Sequence, residues 1–171
     1  MPSSDWLVNR LLDSGESISF YQFMDWSLND PDHGAYANGN LNIGNRGDFV
    51  TSPSLGRDFA DLLSVQLIDW IKDLVDITNP TDRISLVEFG PGEGHLIHDL
   101  ISNIHENAPY LLTHLQFILI EKNKNMVIKQ KNYLSKFKNL SILWMSLNEL
   151  VHSPVKGIFI ANEFFDALPV E

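Results

Sequence analysis

The sequence predicts an α/β fold built on a parallel sheet, and three observations predict it. From about residue 81 onward, apolar strand-like runs alternate with stretches of helical period, the pattern of parallel strands covered by helices. The first strand run ends in a glycine-rich turn, "LVEFGPGEGHL", that passes straight into helical spacing. The second run, "LQFILIE", ends in an acid, Glu121. In open sheets of this kind ligands bind beyond the carboxyl ends of the strands, which is where the turn and the acid both fall.

Composition sets the limits. The chain has 171 residues, 44% hydrophobic and 11% aromatic, enough for one domain with a real core and unlike a disordered segment. It has no cysteine, so a disulfide framework, a thiolate nucleophile and a cysteine-based zinc site are excluded. A net charge of −10 argues against nucleic acid, which selects a basic footprint. That charge serves solubility or suits a basic protein partner. No apolar run approaches the roughly 20 residues of a membrane span, so no membrane insertion is expected. The opening "MPSSDWLVNRLLDSGES" has no secretory apolar core and sets one arginine against three acids, so the expected location is cytoplasmic.

The elements follow in order. A first helix is expected over Asp5–Leu12, capped by Ser3 or Ser4. A second begins after Ser19, where Ser19 and Gln22 make a capping box and Ile18 and Phe23 occupy the staple positions. It should stop near Asn29, because the residue before Pro31 is pushed out of the α region. From Asp30 to Ser54 the chain is rich in Gly, Asn, Asp and Pro, and reads either as a functional loop or as an irregular lid. The run "FADLLSVQLIDWIKDLVDI" places Phe59, Leu62, Leu63, Leu67, Trp70, Ile71 and Leu74 at core-helix spacing. Strands are expected at Ile84–Phe89, Leu115–Glu121, Leu140–Trp144 and Gly157–Ala161. The helix between the first two carries Leu96, Ile97, Leu100, Ile101 and Ile104. The helix between the next two carries Met126, Val127, Gln130, Tyr133, Leu134 and Phe137. The expected organisation is a helical and loop region over residues 1–80, forming a flap, and a parallel-sheet domain over 81–171. Four segments should converge on one site: the glycine turn, Glu121, the residues after Trp144, and "ANEFFDALPVE".

Gly90, Gly92 and Gly94 form G-x-G-x-G; the dinucleotide fingerprint would put its third glycine where His95 stands. Glycine permits a tight turn and close backbone approach, and the following helix presents its N–H groups. No Lys-Ser/Thr pair follows, so this is not a P-loop. A carboxylate at Glu121 matches a ribose diol and would repel the 2′-phosphate of NADP; the other reading is a solvated strand end. Glu88 is odder. A carboxylate in an apolar strand is costly unless hydrogen-bonded, so it either braces the glycine loop or faces a cationic ligand. S-adenosylmethionine, a nucleoside with a sulfonium and an amine but no phosphate, fits this set better than NAD. His95 and His98 lack an evident third ligand and read as helix surface, so no metal site is expected. His33 lies in a loop and is open to a turn-stabilising role.

Five separated stretches, "ISFYQFMDWSLNDPDHGAY", "GDFVTSP", "VEFGPGEGHL", "FILIEKN…Q" and "ANEFFDALPVE", occur in the order of one family. The chain resembles the MidA-like family of S-adenosylmethionine-dependent methyltransferases over essentially its whole length. The resemblance implies a Rossmann-like methyltransferase fold preceded by the helical and loop region. Its mitochondrial members act in complex I assembly by dimethylating a protein arginine, so it implies a protein substrate, a respiratory complex I or NDH-type subunit. It implies that Glu88, Gly90, Gly92 and Gly94 line the methionine end of the donor and that Glu121 holds its ribose. It further implies that Gly47, Asp48, Phe49 and Thr51 form a flap that His33, Gly34 and Tyr36 shape, and that Asn162, Glu163 and Asp166 face the transferred methyl group. Ser54 stands where the family usually has an acid. The chain ends about halfway through a typical member, so an incomplete sheet of about four strands, with an apolar edge on the fourth, is expected of what looks like a truncated product.

Methyl transfer from a sulfonium is an in-line displacement in which the protein supplies positioning and electrostatics. "NEFFDA" offers Glu163 to orient a guanidinium and Asp166 to assist or accept a proton, three residues apart and on one face if a helical turn starts there. Alternatively Asp166 caps the next helix. Two other functions fit less of the sequence: a catalytically inactive assembly or binding module, and an NAD-dependent oxidoreductase.

Overall fold

The sheet is laid down by four short parallel strands in the order β3-β2-β1-β4, the order of the first four positions in a doubly wound 3-2-1-4-5-6 sheet. In the computed structural model, which describes residues 5–15, 17–36, 56–79 and 81–171, these are β1 (Ile84–Phe89), β2 (Leu115–Ile120), β3 (Ile142–Met145) and β4 (Gly157–Ile160). They match the four expected strands to within two residues. β1 lies between β2 and β4, pairing Glu88 with Leu119 on one side and with Ile160 on the other. Its first five residues are all buried, as a strand covered on both faces requires. The one hydroxyl there, Ser85, accepts from the Gln116 amide at 2.8 Å.

Six α-helices accompany the strands among the described residues: α1 (Asp5–Asp13), α2 (Phe20–Asn29), α3 (Asp58–Ile77), α4 (His95–Asn107), α5 (Lys124–Tyr133) and α6 (Leu147–His152). The last three are the crossovers, and none of the six is long and apolar enough to cross a membrane. Leu96, Ile97, Leu100, Ile101 and Ile104 of α4 are all buried. They join Ala60, Leu67 and Ile71 of α3 and Ile84, Leu86, Phe117 and Leu119 of the sheet in one core. Val87, Ile118, Ile120 and Leu150 form a smaller cluster, and the alternation of Leu86 and Val87 places it on the other face of the sheet. Arg57 grips Glu106 with two hydrogen bonds of 3.0 and 2.6 Å, tying the start of α3 to the end of α4.

Two expected core residues are not in the core. Leu62 is 77% exposed and Trp70 48%. The buried line of α3 is Ala60, Ser64, Leu67 and Ile71, a single i, i+4, i+7, i+11 stripe. α3 carries apolar residues on more than one face, so counting hydrophobic positions could not tell which face meets α4.

Two compact units divide the chain: Met1–Asn42 with Glu163–Glu171, and Ile43–Asn162. These limits differ from the 80/81 boundary expected from composition, since α3 belongs with the sheet it covers. Within the first unit, Ser19 caps α2 by accepting the Gln22 N–H at 3.1 Å. After α2 the chain folds around Asp30, whose carboxylate accepts the N–H groups of Asp32 and His33 and pairs with Arg10. Burial works to raise the Asp30 pKa, but these donors outweigh it and hold it low. Trp6 stacks on His33 with ring centres 4.9 Å apart. A side chain on Gly34 would strike the Asp30 backbone, so the tight return after "DPDH" depends on that glycine.

Gly157, where β4 meets β1, is equally constrained. A Cβ there would lie 1.8 Å from the Ser85 carbonyl oxygen. Gly157→Ala should lower stability by about 2–3 kcal/mol, an overpacking that only strand separation relieves. Urea denaturation of the purified variant measures it.

Candidate functional site

β1 fixes the site because it delivers two things to its carboxyl end. The first is Glu88. Period-two alternation puts Ile84, Leu86 and Glu88 on the α4 face. Glu88 is 4% exposed, and its carboxyl accepts the backbone N–H of Ile97 in the first turn of α4. Its other oxygen, Oε2, has no hydrogen-bond partner among the described residues. Burial pushes the Glu88 pKa up to about 8, against the opposing pull of the Ile97 N–H. The reading of Glu88 as a brace thus finds its contact, since one oxygen holds the first turn of α4.

The second is the turn. Gly90, Gly92 and Gly94 have φ of +59°, +54° and +89°, a left-handed conformation at every alternate residue that only glycine adopts without strain. Gly94 N–H closes the turn onto the Pro91 carbonyl at 2.8 Å, and α4 starts at once with Gly94 at its N-cap. No side chain caps that end among the described residues. The N-terminal backbone of α4 is therefore presented beside a buried acid rather than beside a basic side chain.

Beyond β2 the Glu121 N–H bonds the Met145 carbonyl at 3.2 Å, which holds this acid at the same end of the sheet. Its Oε1 accepts the Asn123 N–H at 2.8 Å and its Oε2 the Gln130 amide at 3.3 Å. Burial outweighs these bonds and raises its pKa. Asn123 caps α5, accepting from Asn125 and Met126. At the end of β3, Ser146 and Glu149 make a reciprocal capping box for α6 that the sequence reading missed. Asn162 follows β4 at the same end of the sheet. Three of the four expected segments thus meet there within one unit.

Gln130, which the sequence reading placed in a helical stripe without a role, ties this end of the sheet together. It is fully buried on α5, and its Nε2 donates to the Gly92 carbonyl at 2.7 Å as well as to Glu121. Its Oε1 accepts from Trp144 of β3 at 2.9 Å. A glutamine in the apolar stripe of a crossover helix was the available signal. His95 and His98 sit on α4 against Tyr133: His95 Nδ1 lies 3.2 Å from the Tyr133 hydroxyl, and His98 Nδ1 lies 2.7 Å from Asp99.

In the other unit, Glu163 takes φ +48°, a non-glycine residue in the left-handed region. Such a conformation costs on the order of 1–3 kcal/mol and is commonest at functional sites. The helical turn starts only at Phe165, so Asp166 lies within it and Glu163 outside, unlike the shared helical face considered from sequence. Asp166 is not a helix cap; Phe164 holds that position. Burial, and then the charge of the Asp166 carboxylate, raise the Tyr36 phenol pKa. Gly47, Asp48, Phe49, Thr51 and Ser54 lie outside the described residues.

A cofactor with a ribose and a positive charge fits these residues. Glu121 is an acid held on both oxygens by hydrogen bonds, and Glu88 Oε2 is a buried acceptor that meets no donor among the described residues. Because the Glu88 pKa is raised in the folded protein, its contribution to stability is full below pH 4.5 and is lost as pH climbs toward 8. Glu88→Gln should therefore be more stable than the parent protein at about pH 8.5, and the gap should close near pH 5. Paired urea titrations at the two pH values test this.

Residues 62–171 match the family described as "Putative S-adenosyl-L-methionine-dependent methyltransferase". Along nearly its whole length the chain is similar to proteins named protein arginine methyltransferase NDUFAF7, mitochondrial. It is 27% identical to that of Danio rerio, covering 96% of this chain and 42% of that protein. It is 29% identical to that of Xenopus laevis, covering 98% and 42%. The human protein is 27% identical, covering 90% and 38%. A Burkholderia thailandensis structure solved with S-adenosyl-homocysteine bound superposes with a TM-score of 0.77 at 24% identity, covering 97% of this chain and 41% of that one; this likeness is one of fold. The chain spans about two fifths of the length of these relatives. With the matched region covering β1 to β4 and the glycine turn, the chain belongs to this family of methyltransferases, whose methyl donor is S-adenosyl-L-methionine.

Proposed function

We propose that the protein binds S-adenosylmethionine between the glycine turn and Glu121 and transfers its methyl group to an arginine of a protein substrate. The buried Oε2 of Glu88, which meets no hydrogen-bond donor among the described residues, beside the left-handed glycines carries this reading. A phosphate at that place would meet a carboxyl, whereas an ammonium or sulfonium would complete it. The names of the relatives supply the arginine, and the family resemblance supplies a respiratory complex I or NDH-type subunit as the substrate.

In this reading the residues divide the work. Glu121 accepts the ribose hydroxyls, Glu88 faces the amine end, and the turn brings backbone N–H groups close. When bound, the donor supplies an electrophilic methyl: the substrate nitrogen's lone pair forms the N–C bond as the C–S bond breaks toward sulfur, leaving S-adenosylhomocysteine and a proton. Glu163 orients the guanidinium and localises its charge, since a carboxylate pairs with that planar fork through two hydrogen bonds. Asp166 takes the released proton, and Asn162 helps hold the substrate nitrogen in line.

One observation favours a second reading, a binding module. Leu62, Val65, Trp70 and Ile77 all stand exposed on α3, away from the core stripe. In that case a substrate protein would be held equally well by a chain unable to transfer a methyl group.

Calorimetric titration of S-adenosylmethionine separates the two. The parent protein should bind, and Glu121→Ala should weaken binding at least about tenfold by removing the charged acceptor of both hydroxyls. Glu163→Gln should keep donor affinity and lose methyl transfer by about a hundredfold or more, measured with radiolabelled donor. Retained transfer in Glu163→Gln removes Glu163 from the mechanism, and absent donor binding by a folded parent protein favours the binding module.

A further inference from the structure

Gln130 makes three hydrogen bonds from a side chain with no exposed surface, and their chemistry allows one arrangement only. The Trp144 indole can only donate, so the atom it meets at 2.9 Å must be the amide oxygen. The Gly92 carbonyl and the Glu121 carboxylate can only accept, so both must face the NH2 group, at 2.7 and 3.3 Å. Rotating the amide by half a turn would set oxygen against two oxygens and NH2 against an N–H. Trp144 therefore dictates which way Gln130 points, and Gln130 dictates where two other groups point.

Those two groups belong to the donor site. One NH2 group holds the carbonyl in the middle of the glycine turn and an oxygen of the ribose acid, joining parts that lie about 30 residues apart in sequence. A trans peptide sets its N–H opposite its C=O. Drawing the Gly92 carbonyl toward α5 thus turns the Glu93 N–H away from α5. Gly94 packs on the same side chain, its Cβ position 3.7 Å from Gln130 Cγ. A carboxylate held on one oxygen by Asn123 and on the other by Gln130 has its plane fixed before any ligand arrives.

We propose that Gln130 is the positioning residue of the donor site: oriented by Trp144, its amide locks the Gly92 carbonyl and the Glu121 carboxylate in the geometry that receives the nucleoside. This rests on the donor-site reading above for its consequence, although the clamp itself does not. Gln130 acts through Glu121 and the turn rather than by touching the reacting atoms. A pre-positioned acceptor raises affinity because less freedom is lost on binding. The charged groups around the clamp are Lys122 beside Glu121, Glu93 of the turn with Lys129 at 3.4 Å, and Lys131 over the Trp144 ring.

Two variants test it, Gln130→Leu and Gln130→Glu, with two readouts. The first readout is the titration of the Glu121 carboxyl in the free protein, followed by carbon-detected NMR. The second is the affinity for S-adenosylhomocysteine. In Gln130→Leu the Glu121 pKa should move up, since one of the bonds that lowers it is gone, and affinity should fall about tenfold. Gln130→Glu keeps the acceptor for Trp144 but brings a second carboxylate to Glu121. It should bind weakly at about pH 8 and recover as pH falls and the introduced carboxyl regains a proton to donate. A residue that merely packs would lower the melting temperature yet leave the Glu121 titration unmoved and give no such pH profile. That result in either folded variant overturns the proposal, and Gln130→Glu, nearly the same shape, carries the test if Gln130→Leu does not fold. If the parent protein fails to bind S-adenosylhomocysteine, the donor-site reading falls. The Glu121 titration still decides whether the clamp exists.

Discussion

A central strand covered on both faces has no room for charge, and β1 carries a carboxyl at its fifth position. Most of the site can be traced to that conflict. β1 is flanked by β2 and β4 and covered by α4, so Glu88 has no water to reach, and its ionisation is suppressed. The first turn of α4 relieves part of the cost by offering the Ile97 N–H, and this works only if α4 begins immediately beyond the strand. The turn between them must then be very short, and three left-handed glycines are what such a reversal needs. The helix does not satisfy the second carboxyl oxygen, which has no hydrogen-bond partner among the described residues.

The glycine turn gains its precision from outside itself. Glycine lets the chain take an unusual path but does nothing to hold it there. The hold comes from α5, where Gln130 reaches under the turn while Trp144 keeps the amide from rotating. The same bond network reaches Glu121, so the turn, the acid and Trp144 are joined by three elements that meet only because β1, β2 and β3 are parallel and in register. Buried networks of this kind are stable only when every member is satisfied, and this one has each donor facing an acceptor.

The unit containing the chain's first residues follows a similar logic with different parts. Asp30 gathers two backbone N–H groups and Arg10, and Gly34 lets the chain turn back against the end of α2. The Asp166 carboxylate, well over a hundred residues away in sequence, then adds to burial in raising the Tyr36 phenol pKa. Glu163 pays for its position with a left-handed backbone, a strain that the fold alone gives no reason to keep.

The sequence by itself determined the strands, the crossover α4 and its buried stripe, the cap at Ser19, and the glycine turn followed by an acid. Each of these is governed by local rules: hydrophobic period, capping chemistry and the steric freedom of glycine. It also identified Glu88 as a residue in need of a partner, because burial cost can be read from an apolar neighbourhood. It did not separate the core face of α3 from the face with Leu62 and Trp70, because both are apolar and only the position of α4 selects between them. Nor did it assign Gln130, which looked like one more member of a helical stripe. What Gln130 does depends on Gly92, Glu121 and Trp144 standing around it. Those three come together through strand order and register, which are fixed by long-range pairing and leave no mark on the residues next to Gln130 in the chain.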